Sequence, residues 1–138
     1  MTKIQDCTSI EQGVLLVNAG ISTETADKCW IGIGEGEEVS HVSLSFEQAK
    51  ANRMSADKFL VDIAEKQHPQ ALTPSWSLTA LLNVINEKFY TSLFHDGNAW
   101  VAQATDHDDK EMMDSAYDNS PIGACVKLIF SLKEREWL

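Results

Sequence analysis

The sequence is poor in basic residues: 11 Lys and Arg stand against 21 Asp and Glu, which gives a formal net charge of -10. Residues 1–70 hold 6 basic and 11 acidic side chains, and residues 71–138 hold 5 and 10, so the excess is evenly spread. Such a chain repels phosphate backbones and anionic membrane surfaces at long range. We therefore expect no direct contact with nucleic acid or with a membrane.

Long apolar runs are also missing. No stretch approaches the roughly 20 apolar residues of a membrane span, and the first residues lack the apolar run of a secretory signal. The three cysteines, Cys7, Cys29 and Cys125, are odd in number and show no CxxC spacing. This pattern is typical of buried, reduced thiols. The sequence therefore predicts a cytoplasmic protein without a cofactor.

Catalytic signatures are missing as well, since the chain has no GxSxG elbow, no HExxH helix and no Cys-His signature. The glycines at 32, 34 and 36 resemble a phosphate-binding loop, but no Lys follows them and three glutamates lie among them or just beyond. A hairpin turn is the better interpretation. The four histidines, at positions 41, 68, 95 and 107, are scattered along the chain. These absences favour a protein that is not an enzyme.

The chain does contain enough apolar residues for a core: 43% of its 138 residues are hydrophobic and 23% are charged. This composition and length are typical of one globular domain, which we expect to span residues 1–138. Residues 67–73 form the best candidate for an internal boundary, because helical periodicity stops near Pro69. They separate two halves, residues 1–68 and 74–138.

Periodicity predicts the same order of elements, helix, hairpin and helix, in both halves. In the first half a capping box at Thr8-Ser9-Ile10-Glu11 opens a helix, a short helix leads toward Cys29, and two strands flank residues 34–36. Ser45 and Ser55 can cap further helices. In the second half a helix at residues 75–85 has Leu78, Leu81, Leu82 and Ile85 on one face. It precedes a hairpin around Asp96-Gly97-Asn98.

The last element predicted is a helix that opens at Ser120-Pro121. Its broad buried face is expected to contain six residues. They are Ile122, Cys125, Val126, Leu128, Ile129 and Leu132.

These elements predict an α+β fold. Two hairpins joining into one antiparallel sheet, with helices packed on one of its faces, would bury the apolar side of each element. The repeated order also allows a duplicated αββα unit, although the two halves share little residue-level identity.

The densest group of metal-ligating side chains follows the second hairpin. Asp106, His107 and Asp108 open a polar segment, residues 106–119, that we interpret as a loop, and His95 could lie near it. The spacing does not fit a calcium loop, because Lys110 stands at the fifth position and no Gly stands at the sixth. A solvated connector is the main interpretation, and weak binding of a divalent cation is the alternative.

The C-terminus ends on an apolar pair. Trp137 and Leu138 follow the charged run at residues 133–136, whereas the other three tryptophans lie beside apolar strand or helix positions. Exposed aromatic residues often anchor protein partners. The sequence therefore predicts Trp137 and Leu138 as interaction residues, either for a partner or for a second copy of the chain.

Short runs of residues along nearly the whole chain together form one pattern. They are Thr8-Ser9-Ile10-Glu11-Gln12, Gly20, Thr25-Ala26-Asp27, Cys29-Trp30, Pro74-Ser75-Trp76-Ser77-Leu78, Ala80-Leu81-Leu82, Pro121-Ile122, Ala124 and Leu128-Ile129. This pattern resembles a family of small uncharacterised proteins from gut anaerobic bacteria and their phages and mobile elements; residues 32–54 depart from it. The resemblance implies no catalytic residue or cofactor. It does imply a phage or prophage setting, in which small acidic proteins often bind a host or phage protein.

Three hypotheses for function follow. The first is a non-catalytic protein, derived from a phage or prophage, that acts through protein-protein interaction in the host cytoplasm. The second is an acidic mimic of nucleic acid that inhibits a host enzyme by occupying a basic groove. The third is a protein that binds a small ligand or a metal. Self-association is compatible with the first hypothesis.

Overall fold

Two three-stranded antiparallel sheets and three α-helices make up the part of the chain that the structure describes. The structure is a computed structural model that describes residues 7–32, 39–42, 73–108 and 110–138. The predicted α+β class is confirmed. The sequence predicted one sheet joined from two hairpins, whereas the described strands form two sheets. The turn at residues 34–36, the helices after Ser45 and Ser55, and His68 lie outside the described residues.

The chain divides into two compact units. The N-terminal unit is Ser9–Ser77, and the C-terminal unit is Leu78–Leu138 together with the start of the chain through Thr8. The prediction of one domain with related halves at 1–68 and 74–138 stays a prediction.

The N-terminal unit contains one helix and one sheet in its described residues. Its elements are α1 (Ile10–Asn18), a 3₁₀ turn (Thr23–Thr25), β1 (Lys28–Gly32), β2 (Val39–Val42) and β3 (Thr73–Ser75). The strand order is β2-β1-β3, and both pairings are antiparallel. The predicted hairpin strands are present as β1 and β2. The sequence did not predict β3, because a three-residue strand with a proline at its centre carries no periodic signal.

The capping box of α1 lies one residue later than the sequence predicted. The Ser9 hydroxyl accepts a hydrogen bond from the Gln12 amide, and the Gln12 side chain accepts one from the Ser9 amide. Thr8, the predicted cap, is instead fully buried. The helix packs closely on β3, because a Cβ atom at Gly13 would collide with the carbonyl oxygen of Pro74. Only glycine fits at this position without a shift of the backbone.

The C-terminal unit contains two helices and the second sheet. Its elements are α2 (Leu78–Asn86), β4 (Phe89–His95), β5 (Trp100–Asp106), β6 (Met112–Asp118) and α3 (Pro121–Glu134). The strand order is β4-β5-β6, with antiparallel pairing throughout. Within this unit α2 packs on β4 and on α3, and α3 packs on β5 and β6.

The predicted hairpin between β4 and β5 is confirmed. The Asp96 amide donates to the Ala99 carbonyl at 3.1 Å, and Gly97 takes a φ of 100°, which glycine adopts without strain. The predicted loop at residues 106–119 is wrong, because seven of its residues form β6. The polar residues of β6 suit an edge strand: Asp114 bonds to α3, and Ser115 faces the opposite side of the sheet.

The last helix confirms the prediction closely. The Ser120 hydroxyl accepts a hydrogen bond from the Gly123 amide at 2.9 Å, and Pro121 occupies the first turn. All six residues predicted for its buried face are buried. No helix in the described ranges is long and apolar enough to cross a membrane.

Candidate functional site

The β4-β5-β6 sheet has one covered face and one open face. Residues paired across antiparallel strands share a face, so the register assigns each side chain. The covered face, under α2 and α3, contains Phe89, Thr91, Leu93, Ala102, Ala104, Asp114 and Ala116. The open face contains Tyr90, Ser92, Phe94, Val101, Gln103, Thr105, Met112, Ser115 and Tyr117.

The open face is ordered in three rows that cross the strands. The two outer rows are Tyr90-Thr105-Met112 and Phe94-Val101-Tyr117, and the middle row is Ser92-Gln103-Ser115. Neighbouring rows are about 7 Å apart, because side chains on one face repeat every second residue. Two rows rich in large apolar groups therefore flank a row of hydroxyl and amide groups.

The large side chains of the open face are exposed. Tyr90 is 55% exposed, Phe94 42%, Met112 56% and Tyr117 55%, while Val101 is 2% exposed. None of the nine open-face residues carries a formal charge, in a chain whose net charge is -10. Exposed apolar residues that cluster on one surface mark contact sites more often than scattered ones do. The open face is therefore the candidate functional site.

The hairpin turn holds one end of the open face. The Asp96 carboxylate accepts hydrogen bonds from the Ala99 and Asn98 amides at 2.9 and 2.8 Å, and these bonds lower the pKa of Asp96. The His95 ring accepts a bond from the Gly97 amide at 3.1 Å and meets the Trp100 ring edge-on. His95 is thus engaged in the turn.

The second turn holds the other end. The Asp106 amide donates to the Glu111 carbonyl at 2.9 Å, and the Asp106 carboxylate accepts from the Asp108 amide at 2.7 Å. Lys110 takes a φ of 57°, the left-handed region. The His107 ring lies against the ring of Tyr90, with 4.3 Å between centroids.

The predicted metal ligands are not brought together as one group. Asp106, His107 and Asp108 follow each other in the second turn, but His95 pairs with Trp100 at the opposite end of the hairpin. The two ends are about 20 Å apart, since they are six residues apart along a strand. The expected proximity of His95 is therefore wrong. Across residues 7–32, 39–42, 73–108 and 110–138, no three His, Cys, Asp or Glu side chains are grouped to hold a metal ion.

Trp137 and Leu138, the predicted interaction residues, are half-buried. The Trp137 amide donates to the Leu132 carbonyl at 2.9 Å, and Glu136 takes a φ of 59°, so the helix end is a Schellman motif. The Arg135 guanidinium lies 5.0 Å from the centre of the Trp137 ring. Arg135 of the same chain thus covers part of this ring.

Hydrogen bonds attach the covered face to α3. The Ser131 hydroxyl donates to the Asp114 carboxylate, and the Arg135 Nε atom lies 3.4 Å from the same oxygen. Lys127 forms an ion pair of 2.9 Å with Asp118. Burial alone would raise the pKa of Asp118, but the bonds from Lys127 and Ser120 outweigh it and lower this pKa.

A second hydrogen-bonded group lies in the N-terminal unit. The indole of the fully buried Trp76 donates to the Thr25 hydroxyl at 2.9 Å, and the Ser77 amide donates to the Asp27 carboxylate at 2.8 Å. The two segments are 50 residues apart in sequence. These bonds therefore join two segments of the N-terminal unit that are distant in sequence.

All three cysteines are buried, and none forms a disulfide. Burial raises the pKa of Cys125 to about 12, so its thiolate is scarce at neutral pH. This agrees with the prediction of buried thiols outside disulfides.

Sequence reasoning missed the residues of the open face. Tyr90 and Phe94 alternate with Phe89 and Leu93 along β4, so both faces of this strand are apolar in sequence. Met112 and Tyr117 lay in the predicted loop. The sequence of β6 has no two-residue period that could have found them, because its apolar residues fall in adjacent pairs, Met112-Met113 and Ala116-Tyr117.

Comparison with known proteins adds no relative: no family model, no curated protein and no solved structure matches the chain.

Proposed function

We propose that the chain is a non-catalytic interaction protein that binds a partner protein through the open face. The observation that carries this proposal is the combination of four exposed large apolar side chains with the lack of formal charge on that face. Burying such side chains releases about 25 cal/mol for each Å² of apolar surface removed from water. Tyrosines add hydroxyl groups that can hydrogen-bond to a partner at the rim.

The middle row supplies specificity. Ser92, Gln103 and Ser115 offer hydroxyl and amide groups that can both donate and accept hydrogen bonds. A partner that covers the face without matching these groups would leave them buried and unsatisfied, at about 1–3 kcal/mol each. The open face thus selects a partner with an apolar surface crossed by polar groups.

Charged residues at the two ends of the open face indicate which charges surround the contact surface of the partner. Exposed Asp96 lies at one end of the open face. The turn at the other end carries Asp108, Lys110 and Glu111, so the described charges at both ends are net negative. With a net charge of -10, the chain attracts positively charged surfaces. We therefore propose a partner whose apolar contact surface is bordered by Lys and Arg residues.

This arrangement supports a protein contact over the other two hypotheses. A mimic of nucleic acid needs acidic groups on its binding surface, whereas the open face has none. Metal binding needs several ligands within reach of one ion, and His95 lies far from Asp106. A phage or prophage protein of the proposed kind would act in the cytoplasm of its host, the location that the sequence predicts.

A pair of matched variants tests the proposal. Gln103→Glu places one negative charge at the centre of the open face, and Asn83→Asp places one on the exposed surface of α2. Both exchange an amide for a carboxylate, so the net charge changes equally. Wild type and both variants are immobilised and exposed to lysate of a bacterial host, and bound proteins are quantified by mass spectrometry.

We expect one protein to be retained by wild type and by Asn83→Asp, and to be reduced about tenfold or more on Gln103→Glu, since burying an unpaired charge is costly. Circular dichroism confirms that each variant is folded. Equal retention on the three proteins would refute the open face as the binding surface.

A further inference from the structure

Strand β4 is an edge of its sheet. Among the described residues, β5 is the one strand that pairs with it. The hydrogen bond from the Asp96 amide to the Ala99 carbonyl fixes which residues bond to β5. Because bonded and non-bonded pairs alternate in antiparallel strands, Tyr90, Ser92 and Phe94 bond to β5. The backbone groups of Thr91 and Leu93 therefore point outward.

This edge lacks the features that normally prevent strands from pairing. Natural edges are protected by short length, charged residues, proline or a bulge. β4 has seven residues, no proline, no Asp, Glu, Lys or Arg, and no register shift against β5. The opposite edge, β6, carries Asp114 and Asp118 and has a register shift at Ala104/Thr105.

We infer that β4 pairs in antiparallel fashion with β4 of a second copy of the chain, across a two-fold axis at Ser92. In this register all seven residues of both strands are paired, and the outward backbone groups of Thr91 in one protomer meet those of Leu93 in the other. The pairing is self-complementary, as a two-fold interface requires. It joins two three-stranded sheets into one.

The side chains fit this register. Tyr90 of one protomer lies opposite Phe94 of the other on the open face, in non-hydrogen-bonded pairs where side chains are closest. Both are exposed in the single chain, at 55% and 42%. From Phe89 to Phe94 no charge meets a like charge, which matters for two chains that each carry -10. The pairing also makes the two open faces continuous.

A cysteine placed on the axis provides the test. At a non-hydrogen-bonded position the two Ser92 Cα atoms would be about 4.5 Å apart, within the range for a disulfide. Ser92→Cys is compared with Ser115→Cys, which lies in the same row of the open face but on the β6 edge. The native cysteines are buried and do not compete.

We expect mild oxidation to convert most of Ser92→Cys into a covalent dimer at concentrations where Ser115→Cys stays monomeric. Light scattering of the wild-type protein should approach twice 15.3 kDa as concentration rises. Ser92→Lys should weaken this dimer about tenfold by placing two like charges opposite each other, and Ser115→Lys should leave it unchanged.

A wild-type protein that stays monomeric, or equal cross-linking of the two cysteine variants, would overturn the inference. These results are separable from the proposed function: a monomer that retains its partner through Gln103 refutes only the pairing, and a dimer without a partner refutes only the function.

Discussion

The two faces of the β4-β5-β6 sheet contain similar residues but differ in solvent exposure. On β4, Phe89 is 7% exposed on the covered face and Phe94 is 42% exposed on the open face. On β5, Ala102 and Ala104 are completely buried on the covered face, which lets the helices approach closely. The difference lies in what packs on each face and not in the hydropathy of the strand. Exposed apolar side chains that cluster on one face are typical of interaction sites, which is the basis of the proposed contact.

The largest expected effect comes from the two phenylalanines of β4. Phe89→Ala should lower the free energy of unfolding by about 3 kcal/mol, because it leaves a cavity on the covered face. Phe94→Ala should lower it by about 1 kcal/mol or less, since this ring is already partly in water. Urea denaturation followed by fluorescence measures both. Equal losses would contradict the assignment of the two faces.

The contact between Asp114 and Ser131 comes next. Asp114→Ala should lower the free energy of unfolding by about 1–3 kcal/mol, because it leaves the Ser131 hydroxyl without its acceptor near the core. Ser115→Ala, the neighbouring change on the open face, should have an effect below about 0.5 kcal/mol.

A double-mutant cycle with Ser131→Ala isolates this contact, and the two losses should be less than additive by about 0.5 kcal/mol or more. Full additivity would show that the hydrogen bond between Ser131 and Asp114 does not contribute to stability, and would leave Arg135 as the contact of Asp114 with α3.

The end of α3 provides a smaller effect of opposite sign. Glu136 adopts the left-handed conformation with a φ of 59°, which strains a residue that has a Cβ atom. Glu136→Gly should raise the free energy of unfolding by about 0.5–1 kcal/mol. Glu134→Gly, two residues earlier and inside the helix, should lower it by about 0.5 kcal/mol. Thermal unfolding of the two variants should therefore shift in opposite directions.

The smallest effect is the pH dependence of the Asp118 contacts. The pKa of Asp118 in the folded chain lies below 3.8, the value for the unfolded chain. Its contribution to stability is therefore complete above pH 3.8 and is lost as pH falls through the folded pKa. Asp118→Asn should flatten the loss of stability in this acidic range.

Lys127→Met provides the complementary change, because without the ammonium group the pKa of Asp118 should rise. The Asp118 contribution should then be smaller, and its loss on acidification should be complete at a higher pH than in the wild type. An unchanged pH profile of unfolding in both variants would contradict this account of Asp118.

The elements predicted best are those whose apolar residues lie on a single face. All six residues predicted for the buried face of α3 are buried, together with Gly123 and Ala124, and the β4-β5 hairpin followed from Asp96-Gly97. For α2 the prediction was partly right, since Leu81 and Ile85 are buried but Leu78 and Leu82 are half-buried. Ala80 and Val84 are buried instead, which rotates the buried face of α2.

The candidate site could not be predicted, because it depends on long-range packing. Both alternating sets of side chains on β4 include large apolar residues, so periodicity does not tell which face the helices cover. The acidic residues of β6 favour a loop when the sequence is considered alone. The sequence does not show that Ser131 of α3 donates a hydrogen bond to Asp114. The separation of His95 from Asp106 follows from the hairpin register, which composition does not encode.

The most direct test of the open face is a photo-reactive phenylalanine analogue placed at Tyr117 and, as a control, at Leu15. These residues are 55% and 52% exposed, so solvent access is nearly equal. Irradiation in host lysate should produce one cross-linked protein from position 117 and none from position 15, and Gln103→Glu in the same chain should abolish it. The same cross-linked products from both positions, or a product that persists with Gln103→Glu, would contradict the claim that the open face binds a partner.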